Sequence, residues 1–255
     1  MTTIDQVTER DLLQALPRPL PVGYTSWGEA TSGFSEASST EGACGGPNAS
    51  QLARDLGATV RVAYPAIHRR NLVLDLWFWI TAYGFPTADS ARDFVQSIAH
   101  SVESCPTDRY EVPHSAVQGY LDLSGVNDDH FTDDTMWSAS LSTEILSRSS
   151  TNSLERLVFG SENDYHLLAD DFAAGLRQTS FIRFQNFGSL VIYAGTALQH
   201  SYESCSGECQ NFTLSESGPS GRIVTVEDLD SANVIINSIL RGLSRRGGWR
   251  LDSSM

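Results

Sequence analysis

The clearest periodicity in the chain runs from Ala88 to Glu103, where Ala88, Ala91, Phe94, Val95, Ile98 and Val102 fall on one stripe at the 3.6-residue helical period. Thr87 supplies an N-cap after Pro86, and Cys105-Pro106 stops the helix. A second long stripe, Leu229, Ala232, Ile235, Ile236, Ile239, Leu240 and Leu243, predicts a helix from Glu227 to about Arg246, with Thr225 or Val226 near its cap and Gly247-Gly248 as its stop. A short helix is predicted over residues 8–16. Thr8 caps it, Asp11 stands at the third helical position, Leu12, Leu13 and Leu16 share a side, and Pro17 and Pro19 end it.

Between these stripes the period changes to two. Thr59 to Tyr64 and Leu72 to Tyr83 read as strands, with His68-Arg69-Arg70-Asn71 as the turn material of a hairpin. In the second, Leu72, Leu74, Leu76, Phe78 and Ile80 take one face, and Val73, Asp75, Trp77, Trp79, Thr81 and Tyr83 take the other. Thr135 to Thr143 and Glu155 to Phe159 also read as strands, separated by a linker candidate at residues 146–153. Ser180 to Phe187 and Leu190 to Leu198 flank the turn Asn186-Phe187-Gly188-Ser189. Strand, strand, helix thus occurs twice, without matching residues between the halves. The expected fold class is α+β, an antiparallel β-sheet with helices packed on one face. A single domain spans 1–255: an N-terminal helix and lead-in (1–24), a Ser/Gly-rich loop region (25–58) and an α+β core (59–255).

Charge removes whole classes of function. The chain of 255 residues has 17 basic and 31 acidic side chains, a net charge of −14, and every basic residue is arginine. Without lysine there is no Schiff base, no P-loop and no kinase-type ATP site. The acidic balance argues against nucleic acid or an anionic membrane as the main partner. Lysine avoidance points to a GC-rich source, with a salt-adapted acidic surface as the competing explanation. No apolar run approaches membrane-spanning length, and the first ten residues lack a signal-peptide pattern.

The cysteines bear on compartment. Cys44, Cys105, Cys205 and Cys209 each sit beside turn chemistry, make no CxxC or zinc-finger spacing, and allow three pairings. Chain order favours Cys44–Cys105 and Cys205–Cys209, which makes the expected fold disulfide-stapled and places it in an oxidising compartment. Four unconnected thiols in a cytosolic protein are the competing reading.

The run Leu76 to Tyr83, then Pro86 to Phe94, then Ser104-Cys105-Pro106 resembles the PknH-like extracellular sensor domains of mycobacterial receptor kinases and related actinobacterial lipoproteins. The N-terminal Leu12-Leu13 helix, Cys44, the hairpin from Arg183 to Ile192 and the terminal helix follow in similar order. That resemblance implies a non-enzymatic α+β sensor domain with a ligand cleft and two disulfides, and it carries over Cys44 and Cys105 as one staple; no cofactor is expected. Cys205 and Cys209 depart from the family pattern.

Candidate chemistry is sparse. No HExxH, HxxEH or GxSxG occurs. The densest polar cluster, Asn127 to Asp134, offers Asp128, Asp129, His130, Asp133 and Asp134 at spacings that suit a cation. EF-hand spacing fails there, so a solvated acidic loop competes with a metal site that would serve a metal-dependent hydrolase. The other feature is the second face of the long strand. Trp77, Trp79 and Tyr83, with Asp75 beside them, either lie under covering elements or line a groove, where they would stack on a sugar or apolar ligand while Arg69 or Arg183 meets an anionic group. The leading expectation is an extracytoplasmic ligand-binding or sensor domain of the actinobacterial cell envelope. Its ligand would be a small envelope-derived glycan, lipid or peptidoglycan fragment.

Overall fold

The computed structural model describes residues 7–34, 49–70, 75–104, 109–113, 136–151, 154–167, 173–204 and 230–247. Their elements follow in the order α1 (Glu9–Ala15), β1 (Tyr24–Trp27), β2 (Thr31–Ser32), α2 (Ala49–Asp55), β3 (Val60–Ala63), β4 (Ala66–Arg70), β5 (Asp75–Gly84), α3 (Ala88–Glu103), β6 (Arg109–Pro113), β7 (Met136–Thr151), β8 (Leu154–Leu167), β9 (Ala173–Phe187), β10 (Leu190–Ser204) and α4 (Asn233–Gly247). The strands join one ten-stranded antiparallel sheet whose main path is β1-β4-β5-β10-β9-β8-β7-β6, with β2 paired to β3 and β3 to β5 beside it. β3 lies beside the C-terminal half of β5 and β4 beside its N-terminal half, so two short strands share one edge of β5. The fold class is α+β, as the alternating and helical periods predict.

Local chemistry sets the helix starts. At α1, Thr8 and Asp11 form a reciprocal capping box: the Asp11 N–H donates to Thr8 Oγ1 at 3.2 Å, and the Thr8 N–H donates to Asp11 Oδ2 at 3.1 Å. At α3, Thr87 Oγ1 accepts from the Ser90 N–H at 3.1 Å. The Asn186 to Ser189 turn closes the β9–β10 hairpin with Gly188 at φ 67°, a left-handed conformation that disfavours a side chain.

Several boundaries differ from the sequence reading. His68, Arg69 and Arg70 are strand residues of β4, paired opposite Trp77, Leu76 and Asp75; the region read as one hairpin is three strands. Residues 146–151 belong to β7, whose hairpin with β8 pairs Thr151 with Leu154, and Leu154–Leu167 extends the short strand expected there. The 25–58 region read as loop holds most of β1, all of β2 and all of α2. α4 begins at Asn233, later than the apolar stripe suggested, because Ser231 and Ala232 form a turn ahead of it.

The expectation of helices on a single face is also corrected: the sheet is covered on both. On one side Phe78, Ile80, Ala82, Ile192 and Ala194 pack with Leu12 and Leu16 of α1 and its flank and with Ile235, Ile236, Ile239, Leu240 and Leu243 of α4. On the other, Tyr83, Phe184, Val191 and Tyr193 meet Phe94, Val95, Ile98 and Val102 of α3, with Ala49 and Ala53 of α2 alongside. The alternation along β5 is therefore two apolar faces, each with its own helical cover. Complete burial is worth about 1.5–3 kcal/mol for each large aliphatic or phenyl side chain. The second strands of the two strand-strand-helix units, β5 and β10, pair with each other at the middle of the sheet, Val191 opposite Tyr83 and Gly195 opposite Trp79.

Candidate functional site

Residues opposite one another in an antiparallel pair share a face, and so do alternate residues along a strand. Trp27 stands opposite Ala66, Thr25 opposite His68, and His68 opposite Trp77. Trp79, two residues beyond Trp77, stands opposite Gly195. These positions form one continuous surface on the α3 side of the sheet. α3 lies over β7 to β10 and leaves this end uncovered by any described helix. Along β5 the cover ends between Thr81 and Trp79: Tyr83 and Thr81 are buried, whereas Trp79 is 44 % and Trp77 37 % exposed. Trp27, on the edge strand, is 78 % exposed.

One of its indoles is in contact with a neighbouring ring. The His68 and Trp77 rings are 4.7 Å apart between centroids and tilted by 32°, so His68 supports one indole from the side. The Tyr193 hydroxyl lies over Gly195, the residue opposite Trp79, where an added Cβ would come within 2.7 Å of it. Asp75 lies at the alternate position before Trp77, opposite Arg70 in the register.

Tyr83 does not join this surface. Its ring packs against Phe94 of α3 with centroids 5.4 Å apart, and its hydroxyl is 3.1 Å from Ser50 Oγ. Arg61, itself 2 % exposed, donates from Nε to the same Ser50 oxygen at 2.7 Å and from Nη1 to the Gly33 carbonyl at 3.1 Å. Tyr83 thus belongs to a buried polar junction that ties α2 and the β2 turn to β3 and β5.

The two arginines expected to face an anion beside the tryptophans lie on the opposite side of the sheet. Arg69 pairs with Tyr24 across β1 and β4, its guanidinium 5.7 Å over the Tyr24 ring, and its Nη1 donates to Ser231 Oγ. The Tyr24 hydroxyl donates to the Ser231 carbonyl at 2.8 Å. Arg183 is 1 % exposed, and its Nη1 donates to Asn233 Oδ1 at 2.9 Å and to Asp230 Oδ1 at 3.4 Å. Burial and the nearby Arg156 pull the Arg183 pKa down to about 10 against the pull of Asp230, so it stays charged at neutral pH. Both arginines tether the N-terminal end of α4. Asp230 there sets a negative charge against the positive end of the helix and the buried guanidinium together.

Cys44, Cys105, Cys205 and Cys209 lie outside the described residues, as do Asp128, Asp129, His130, Asp133 and Asp134. Among the described residues no group of three or more His, Cys, Asp or Glu is placed to hold a metal ion, and no helix is long and apolar enough to cross a membrane. Sequence reasoning missed Trp27. The signal available was Tyr24-Thr25-Ser26-Trp27, four residues of strand character bounded by Gly23 and Gly28, both at positive φ.

No family model matches the chain, and no curated protein matches it. Among solved structures, it is similar to the extracellular domain of PknH from Mycobacterium tuberculosis, with 11 % sequence identity, a TM-score of 0.45, and coverage of 94 % of this chain and 98 % of that one.

Proposed function

We propose that the protein is a non-enzymatic, extracytoplasmic ligand-binding domain of the bacterial cell envelope, and that Trp27, Trp77 and Trp79 are its platform for an uncharged glycan. The observation that carries this reading is three tryptophans on one open sheet face, two of them adjacent on β5 and braced by His68. Large indoles left in water are unfavourable for a solitary fold, and sugars present the flat C–H faces that stack on them. The net charge of −14 disfavours acidic glycans, which leaves neutral sugar rings as the fitting class. The turn-embedded cysteines and the resemblance to envelope sensor domains support the compartment.

Binding of the full chain to neutral glucan and arabinogalactan, with carboxylate-bearing peptidoglycan as the contrast, followed by pull-down and tryptophan fluorescence, tests the proposal. Trp79→Ala and Trp77→Ala should each weaken binding by about tenfold. Each indole is still more than half covered, so Tm should fall by a few degrees while the variants stay folded at the temperature of the binding assay. Retention of full affinity in the double variant, or no binding of any glycan by the parent, overturns the assignment. Trp27→Ala provides a further readout at an edge position that does not bear on the core.

A further inference from the structure

We infer that the cleft between the end of α1 and the C-terminal half of α4 is a second, separate site that takes a phosphate-bearing ligand. The cleft has a volume of about 780 Å³, within the range of small-molecule pockets. Its shape follows from one residue. A Cβ on Gly242 would lie 2.6 Å from the Ala15 carbonyl oxygen, so α1 and α4 touch backbone to backbone and the side chains flanking that contact stand up as walls. On α4, Ser238, Arg241, Gly242 and Arg245 form a single stripe at the i, i+3, i+4, i+7 spacing. Arg18 enters from the segment where Pro17 and Pro19 turn the chain away from α1, and Leu16 and Pro17 supply an apolar side.

Three guanidiniums around one concavity stand out on a molecule of net charge −14. Among the described residues no carboxylate forms an ion pair with Arg18, Arg241 or Arg245, whereas Arg92, Arg148, Arg156 and Arg183 each have one. Helix-end carbonyls account for a cation near the close of α1 and in the last turn of α4. They do not account for Arg241, a full turn earlier. Guanidinium forks match phosphate oxygens two at a time, and a phosphate monoester brings nearly two negative charges and three acceptor oxygens at neutral pH. The organic part of the ester would rest on the Leu16 and Pro17 side. A free phosphate ester and a phospholipid headgroup present the same chemistry.

Calorimetry of the full chain with glycerol 3-phosphate and with pyrophosphate tests the soluble source. Co-sedimentation with phosphatidylcholine vesicles, with and without phosphatidic acid, tests the headgroup. The parent should bind in at least one arm, more weakly as salt is raised. Arg18→Gln and Arg241→Gln should each reduce affinity by about tenfold, and the triple variant with Arg245→Gln should abolish binding. Arg18→Gln lies outside both helices and Trp79→Ala lies on the other face of the sheet; the latter should bind phosphate as the parent does, which separates this site from the glycan platform. Binding in only one arm assigns the source. No binding of either soluble phosphate at millimolar concentration together with sedimentation that phosphatidic acid does not increase, or unchanged affinity in the triple variant, overturns the inference.

Discussion

Gly242→Ala sets local and tertiary physics against each other at one atom. Residue 242 lies inside α4, where glycine is about 1 kcal/mol less favourable than alanine. Helix propensity alone therefore predicts a stabilised variant. The added Cβ would sit 2.6 Å from the Ala15 carbonyl oxygen and 3.1 Å from the Ala15 Cα, against an ordinary contact of 3.4 Å or more. Both neighbours are backbone atoms, so no side-chain rotation relieves the clash and α1 itself must move away. Overpacking of this kind costs about 1–3 kcal/mol. The retreat also disturbs Leu12, fully buried, and the 2.9 Å hydrogen bond that the Tyr64 hydroxyl donates to the Leu12 carbonyl. Less the helix gain of about 1 kcal/mol, a net loss of up to about 2 kcal/mol follows, or a fall in Tm of up to about 8 °C for a chain of this size. Differential scanning calorimetry at neutral pH, with urea unfolding as the equilibrium check, measures it. A Tm above the parent's would refute the clash, because it would show that the helix gain goes unopposed and that α1 and α4 do not meet backbone to backbone.

Arg183 and Glu155 provide two further expectations. Arg183→Ala removes a buried side chain and both of its tethers to the start of α4, and should lose about 2–4 kcal/mol in urea unfolding. Arg183→Met keeps most of the volume and removes a desolvated charge, and should lose at least about 2 kcal/mol less than the alanine variant; equal losses would show that the polar tethers, not the filled space, hold α4. Burial raises the Glu155 pKa, opposed by Arg148 and Arg92, and its Oε2 has no hydrogen-bond partner. The folded state then holds the proton more tightly than the unfolded chain, and the parent loses stability as pH rises from the ordinary glutamate range through the raised value. Glu155→Gln should therefore exceed the parent in Tm at pH 7, with the gap closing toward pH 4. A gap independent of pH would remove carboxylate ionisation as its cause.

Much of the secondary structure was legible because its determinants are local. Thr8 with Asp11 and Thr87 with Ser90 cap their helices through contacts three residues apart, and the stripe of α3 needs only the helical period to be seen. The Asn186 to Ser189 turn likewise announces itself through Gly188. Where the pattern was ambiguous, pairing decided. His68-Arg69-Arg70 has turn-like composition and lies in a strand because Trp77, Leu76 and Asp75 stand opposite it. The two-residue period of β5 correctly separated Phe78 and Ile80 from Trp77 and Trp79.

Alternation also placed Tyr83 with the tryptophans, and it could not say where along the strand the covering helix stops. That limit is set by the position of α3 over β7 to β10, a matter of strand order. Strand order likewise put Arg69 and Arg183 on the face away from the tryptophans, and added Trp27 to them from a segment far off in sequence. The arginines of the α1–α4 cleft were invisible for the same reason. Arg241 and Arg245 share a helix face by spacing alone, but Arg18 joins them only because Gly242 lets two helices touch. The chain by itself determined three of its four described helices, most of its strands, the two faces of β5 and a charge that disfavours nucleic acid or an anionic membrane as the main partner. Which residues meet across the sheet and between helices was decided by the tertiary structure, because register and backbone contact depend on partners such as Trp79 and Gly195, or Ala15 and Gly242, that are far apart in sequence and that no local energy specifies.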